Sequence, residues 1–208
     1  MSEGVAAGRR TQEERRSEAE RRLVQAAAEL VGEIGPARVT LANVGERAGY
    51  SRGLATHHFG SKGALMQRLV DAVTLQFREA IFDQSQSHSA MDEGLGLVST
   101  YFQVMSNMQP VNRARLALWA DAVATGSPET RPAMLAADRE FRDAITKTLE
   151  RGVAAGEFPA SLDPSGLATV IIAMLRGVAL QSLLDDQVDL DACRAEIEQL
   201  LTGRLQLS

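Results

Sequence analysis

Apolar residues recur every three or four positions along most of the chain, and no segment shows convincing strand-type alternation. Leu23, Ala27, Leu30, Val31 and Ile34 form the first helical stripe. Ser17, with Glu20 three residues on, reads as the capping box that opens it, and Gly35-Pro36 as its stop. Thr40 is placed to cap a short second helix over 41–48, which Gly49 ends. Ser51 is placed to cap a third, to about Phe59. Ser61 then opens a long fourth helix with Leu65, Leu69, Val73 and Phe77 on one face. Further helices are predicted over about 92–108, 111–125 and 131–155, the last carrying Phe141, Ile145 and Leu149. After Gly156 and Pro159, Asp163-Pro164 starts a helix that runs to about Leu184. Asp189 caps a final one holding Ile197, Leu200 and Leu201. Residues 84–91 read as a polar loop, and residues 1–16 as a disordered tail with almost no large apolar side chain. The pattern predicts an all-α protein of about nine helices without internal repeats.

Composition narrows the class. The 208 residues are 45% hydrophobic and 24% charged, which excludes a mostly disordered, collagen-like or disulfide-stapled chain. A lone Cys193 cannot form an intrachain disulfide, and a reduced, cytoplasmic compartment is expected. Residues 1–22 hold no apolar signal core. The longest apolar run, 166–175, is broken by Arg176 and is too short to cross a bilayer, so no membrane partner is expected. The net charge of −5 is unevenly spread: residues 1–62 carry 10 Lys+Arg against 8 Asp+Glu, and the acidic excess lies beyond them. A basic head on an acidic body points towards nucleic acid.

Residues 41–59 have the helix-turn-helix pattern: two short helices around a glycine-bearing turn. Gly49 suits the positive φ such a turn needs. Gly45 is small enough for the helices to cross closely, and Val44, Ala48 and Ala55 can plug the junction. The second helix, SRGLATHHF, offers hydroxyl, guanidinium and imidazole groups to a major groove. Other constellations fail. Adjacent His57 and His58 point about 100° apart on a helix and lack further ligands at metal spacing. Asp185, Asp186, Asp189 and Asp191 lack the glycine and distal glutamate of a calcium loop. Gly94 and Gly96 do not complete a dinucleotide fingerprint, FGSKG fails the phosphate-loop spacing, and no Gly-x-Ser-x-Gly elbow occurs. With His57, His58 and His88 lacking a nucleophile partner, neither an enzyme, a metal nor a cofactor is expected.

Residues 21–70, RRLVQAAAELVGEIGPARVTLANVGERAGYSRGLATHHFGSKGALMQRLV, resemble the N-terminal domain of the tetracycline-repressor (TetR) family of bacterial regulators. LALWADAVA, GVAAGEF and DPSGLATVIIAMLRGVALQSLLDD resemble, less specifically, the C-terminal regions of its members. The resemblance implies a three-helix DNA-binding head over 17–63 and a helical ligand-binding and dimerisation body over 64–208. It also implies a homodimer, a palindromic double-stranded operator and release by a small-molecule effector. Thr40, His57 and Lys62 fall where the family meets the DNA backbone, Ser51, Arg52 and Gly53 match the start of the recognition helix, and Thr40, Ser51, His57 and Lys62 are the phosphate candidates. Phe59 matches an aromatic tying that helix to the first. Gly45 stands where Ala is usual, at a cost of roughly 1 kcal/mol in helix propensity. Thr56 replaces a frequent Tyr. Leu54 replaces a common polar residue, which makes Arg52 and Leu54 the base-edge candidates. A helical adaptor without ligand control and a TetR-like activator are the alternative readings.

Two more expectations concern the body. The helix ending near Leu184 is apolar nearly all round and calls for burial on two sides. Leu167, Ile171, Met174, Leu175 and Val178, with Ile197 and Leu201 of the last helix, are the expected dimer interface. Phe102, Met105, Met108, Arg115, Trp119, Phe141 and Met174 are the expected ligand pocket, with Arg115 and Asp121 able to orient a polar group. No feature of the sequence distinguishes a lipid-like, aromatic or cationic effector.

Overall fold

The computed structural model describes residues 11–82 and 89–206; residues 1–10 of the expected tail and most of the expected loop over 84–91 lie outside them. Among the described residues there are nine α-helices, one 3-10 turn and no strand. The helices are α1 (Gln12–Ile34), α2 (Leu41–Arg47), α3 (Arg52–Phe59), α4 (Lys62–Phe82), α5 (Ala90–Ser106), α6 (Pro110–Ala124), α7 (Arg131–Ala154), α8 (Pro164–Leu184) and α9 (Leu190–Leu205), with the 3-10 turn Pro36–Arg38 after α1.

The start of α1 corrects the expected Ser17 cap. Thr11 is the N-cap: its hydroxyl accepts from the Glu14 amide at 3.2 Å, and the Glu14 carboxylate accepts from the Thr11 amide at 2.8 Å. Ser17 and Glu20 lie inside the helix, so residues 12–16 are helical rather than tail. The equivalent Thr-x-x-Glu signature occurs six residues earlier, and it wins because polar turns without an apolar face can still form when charges pair along the helix. Glu18 does this with Arg21 at 2.9 Å and Arg22 at 2.7 Å.

Two buried clusters organise the chain. One gathers Leu23 and Val31 of α1, Val44 and Ala55 of the short helices, and Leu65 and Leu69 of α4. It is closed by Val111, Ala114 and Leu118 of α6. The other gathers Phe77 and Ile81 of α4, Tyr101 and Phe102 of α5, Phe141 of α7, Leu175 of α8 and Leu201 of α9. Helix α4 therefore passes from one core into the other. At Gly32 a Cβ would stand 3.1 Å from the Arg113 side chain, so the glycine allows α1 to lie close on α6. The GVAAGEF stretch folds back at the end of α7: Phe158 packs where a Cβ on Gly152 would be, at 2.2 Å, and its amide donates to the Gly152 carbonyl.

The expected dimer set divides. Ile171, Leu175, Ile197 and Leu201 are buried in the body's own core, so they are corrected from interface to core. Leu167, Met174 and Val178 are half-buried. The outward apolar side chains of these two helices are Val170 (50% exposed), Leu184 (90%) and Leu200 (60%). The error follows from phase: apolar residues all round a helix do not say which stripe faces inward.

Candidate nucleic-acid interface and ligand pocket

The junction of α2 and α3 is built from local signals. The Thr40 hydroxyl accepts from the Asn43 amide at 3.1 Å, and Asn43 Oδ1 accepts from the Thr40 amide at 2.8 Å. The hydroxyl proton of exposed Thr40 remains available to an acceptor outside the chain. Gly49 adopts φ 78°, as the turn requires. At Gly45 an added Cβ would meet the Ser51 carbonyl oxygen at 2.7 Å, so the helices cross more closely than alanine allows. The glycine's cost in helix propensity is thus offset by that close crossing.

Val44 and Ala55 are fully buried at this crossing, while Ser51, Arg52, Gly53, Thr56 and His57 stand exposed on α3 and Leu54 is half-buried. Ser51 occupies the N-cap position with extended backbone, but its side chain makes no cap hydrogen bond, contrary to expectation. Ser61 does cap α4, accepting from the Ala64 amide at 3.1 Å.

The basic groups here are held rather than loose. Arg52 Nε donates to Glu46, which leaves both terminal nitrogens to face outward. Lys62 Nζ donates to the Ala37 carbonyl at 2.8 Å, tying α4 to the 3-10 turn with two protons to spare. Arg47 forks onto Glu33 at 2.8 and 2.7 Å. His58 points inward, 3.2 Å from Glu20, and stacks edge-on against half-buried Phe59. Glu20 also receives Arg68 at 2.8 and 2.6 Å, and the arginine, with His58 second, holds its carboxyl below the usual range. The exposed face can donate hydrogen bonds to phosphate oxygens and base edges along one short helix and its two flanks. Among the described residues no three His, Cys, Asp or Glu side chains converge as a metal site requires.

A cavity of about 240 Å³ opens between α4, α6, α7 and α8. Of the seven expected pocket residues, Arg115, Trp119 and Phe141 line it. Phe102 and Met105 are buried in the body core, and half-buried Met108 and Met174 pack against that core, so these four are corrected from lining to packing. Asp121 is not on the cavity either. Helix α5 lies against α7 and α9, which draws its large side chains to the other side of the body. Phe77, Phe82, Met134, Asp138 and Arg176 complete the wall and were missed. Arg176 did carry a signal, because an arginine inside a long apolar helix demands a partner.

That partner is Asp138, which also receives Arg142 at 3.1 Å. The Arg176 guanidinium lies over the Trp119 ring at 4.3 Å. Arg115 is different. It is 6% exposed, with its guanidinium 3.6 Å over the Phe77 ring, and its Nε and Nη2 are enclosed, as is the hydroxyl of the neighbouring Tyr101. Burial pushes its pKa below the ordinary value, the neighbouring Tyr101 and Asp138 oppose that push, and the charge of Arg176 adds to it.

Residues 23–69 match the model described as "Bacterial regulatory proteins, tetR family", and residues 95–206 match "BetI-type transcriptional repressor, C-terminal". The HTH-type transcriptional regulator BetI of Escherichia coli K12 is 28% identical over 106 residues, 50% of this chain and 54% of that protein. The chain thus spans about half the length of the curated relatives it matches. A TetR regulator from Chloroflexus aurantiacus superposes with TM-score 0.84 at 22% identity, covering 93% of this chain and 99% of that one. A transcriptional regulator from Saccharomonospora viridis, solved in complex with choline, superposes with TM-score 0.80 at 21% identity, covering 92% and 100%. These are regulators rather than enzymes, and at such identities the structural likeness speaks for the fold alone. With a helix-turn-helix head and a C-terminal family model that matches more than half of the chain, this chain belongs to the TetR family of DNA-binding transcriptional regulators and carries a BetI-type C-terminal region.

Proposed function

We propose that the chain is a cytoplasmic, ligand-responsive repressor that binds a palindromic operator as a homodimer. The observation that carries this is the continuity of α4. Its first residue, Lys62, lies beside the helix-turn-helix, and Thr74, Phe77 and Phe82 further along line the cavity. A molecule that fits the cavity better in one tilt of α4 than in another shifts the position of the head. Only that difference in affinity can release DNA, and by linkage the operator weakens ligand binding by the same factor.

In this reading Arg52 and Leu54 meet base edges, while Thr40, Ser51, His57 and Lys62 meet phosphates and set register and salt dependence. Gly53 lets α3 approach the backbone closely, and Thr56 lies on the same outward face. Two heads related by a two-fold axis read half-sites about one helical turn apart or a multiple of it. The pairing surface is the outer stripe of α8 and α9, with Val170, Met174, Val178, Leu184 and Leu200. Helix Pro164–Leu184 has a mean hydropathy of 1.9 over 21 residues. It packs against α7 and α9 on its inner side, which suits its outer side to a matching helix rather than to lipid.

Gel shifts on DNA flanking the coding sequence, combined with light scattering, test the reading. A dimeric mass is expected. Lys62→Ala should weaken binding to all sequences and flatten the salt slope by about one unit. Arg52→Ala should relax preference at one position, at roughly 1–3 kcal/mol. Unchanged shifts for both variants would remove the docking scheme. A monomeric mass at micromolar concentration would favour an adaptor.

A further inference from the structure

We propose that Glu46 is a positioning residue for DNA recognition: it holds Arg52 by Nε so that the two terminal nitrogens fork onto O6 and N7 of one guanine in each half-site. The inference deepens the operator reading and rests on it.

Three observations lead there. The first is the way Arg52 is held. Its Nε donates to the Glu46 carboxylate across the turn between α2 and α3. The side chain is 76% exposed, and its two terminal nitrogens make no hydrogen bond to any described residue. The free end of the guanidinium presents parallel Nη1–H and Nη2–H, an edge that matches O6 and N7 of guanine. Arg47, in the same junction, is the contrast. Its terminal nitrogens are spent on Glu33 at 2.8 and 2.7 Å, so its fork fastens α2 to α1.

The second is the place. Arg52 is the first residue of α3, between exposed Ser51 and exposed Gly53. A Cβ on Gly53 would meet nothing within 4 Å, and its φ is not positive, so neither packing nor a turn inside the chain asks for glycine. A surface from outside that comes close to this turn does. The first side chains of a helix docked in a major groove are the ones that reach base edges.

The third is the charge of Glu46, whose side chain is 48% exposed beside Arg52. On a random sequence Arg52 can leave this screened pair for a phosphate, but Glu46 then faces the polyanion alone, and like charges repel. Over a guanine Arg52 keeps Glu46 and gains two further bonds. An arginine already held also loses less freedom on docking. Specificity is the difference between these two states, and Glu46 widens it.

The experiment selects sites for the full-length protein from a random duplex pool, then measures affinity for the selected and a random duplex by gel shift. At least one guanine per half-site should be recovered. Replacing it by 7-deazaguanine, which lacks the N7 acceptor, should weaken the parent protein about fivefold or more and leave Arg52→Ala unaffected. Glu46→Ala, checked for helicity and melting, should bind the random duplex more tightly and lose most of the guanine preference. Glu46→Gln keeps an oxygen to accept from Nε, so it should retain the preference while also gaining on the random duplex. A fall in both affinities in proportion overturns the inference, as does an undiminished preference in Glu46→Ala or indifference of the parent to 7-deazaguanine. If a palindrome is selected but Arg52→Ala weakens every duplex alike, Arg52 meets phosphate: the operator reading stands and this inference falls. Selection of no site removes the operator reading and the inference with it.

Discussion

The helix-turn-helix face and the cavity handle positive charge in opposite ways. On the head, Arg47 and Arg52 stand at the surface against Glu33 and Glu46. Water screens such pairs, so each contributes little and can be exchanged for a phosphate at little cost. In the body, Arg115 is buried on Phe77 with Tyr101 beside it, and Arg176 is paired with Asp138 over the Trp119 ring. Little water screens these groups, so their mutual placement counts for more there than at the surface. The contrast assigns the regions different work. A surface of screened, replaceable pairs suits a long polyanion met at many points, whereas guanidinium groups stacked on rings and held between helices fix the packing of the body. Helix α4 joins the two, contributing Leu65 and Leu69 to one core and Phe77 to the other.

The strongest way to break this comparison is to ask whether the regions unfold separately. Leu69 in the first core and Leu175 in the second are both fully buried. Truncating either to alanine should cost about 2–5 kcal/mol. Because α4 and α6 serve both cores, each variant should shift one common urea transition, compared at equal protein concentration. Two resolved transitions, with Leu69→Ala moving only one, would separate head from body.

A smaller effect isolates the head. Alanine at Gly45 gains about 1 kcal/mol in helix propensity but sets a methyl 2.7 Å from the Ser51 carbonyl oxygen. Overpacking of that kind costs about 1–3 kcal/mol, and the obstacle is backbone, so Gly45→Ala should be a net loss and Gly45→Val a larger one. DNA affinity should fall in both. A stabilised Gly45→Ala would show instead that the turn yields.

The smallest effect concerns pH. Arg68 and His58 hold the Glu20 carboxyl below its ordinary value of 4.5. The unfolded chain therefore binds that proton first on acidification. The contribution is complete above the ordinary value and disappears as pH falls through the lowered one. Exposure limits it to a few tenths of a kcal/mol. Glu20→Gln should lower the urea midpoint slightly at neutral pH and match the parent protein in acid. A gap that persists in acid would assign the effect to packing rather than charge.

Much of the fold was legible in the residues themselves, because its signals act within one helical turn. Thr40 with Asn43, Gly49, Ser61, Asp163 and Asp189 mark helix ends through bonds spanning three residues or a single backbone angle. The helix-turn-helix was readable for the same reason, since its junction lies within the 19 residues from 41 to 59. Ser17 misled because two capping signatures competed a few residues apart, and only the folded chain selects the outer one. The body was decided by tertiary structure. Which stripe of α8 faces inward depends on where α7 and α9 lie, so Ile171 and Leu175 became core and Val170 surface. Arg176 meets an aspartate 38 residues away, and Arg115 meets a phenylalanine from another helix. Local pattern cannot rank such contacts, because a buried charge is stabilised or left unmet by groups that only the packing of distant helices brings within a few ångströms.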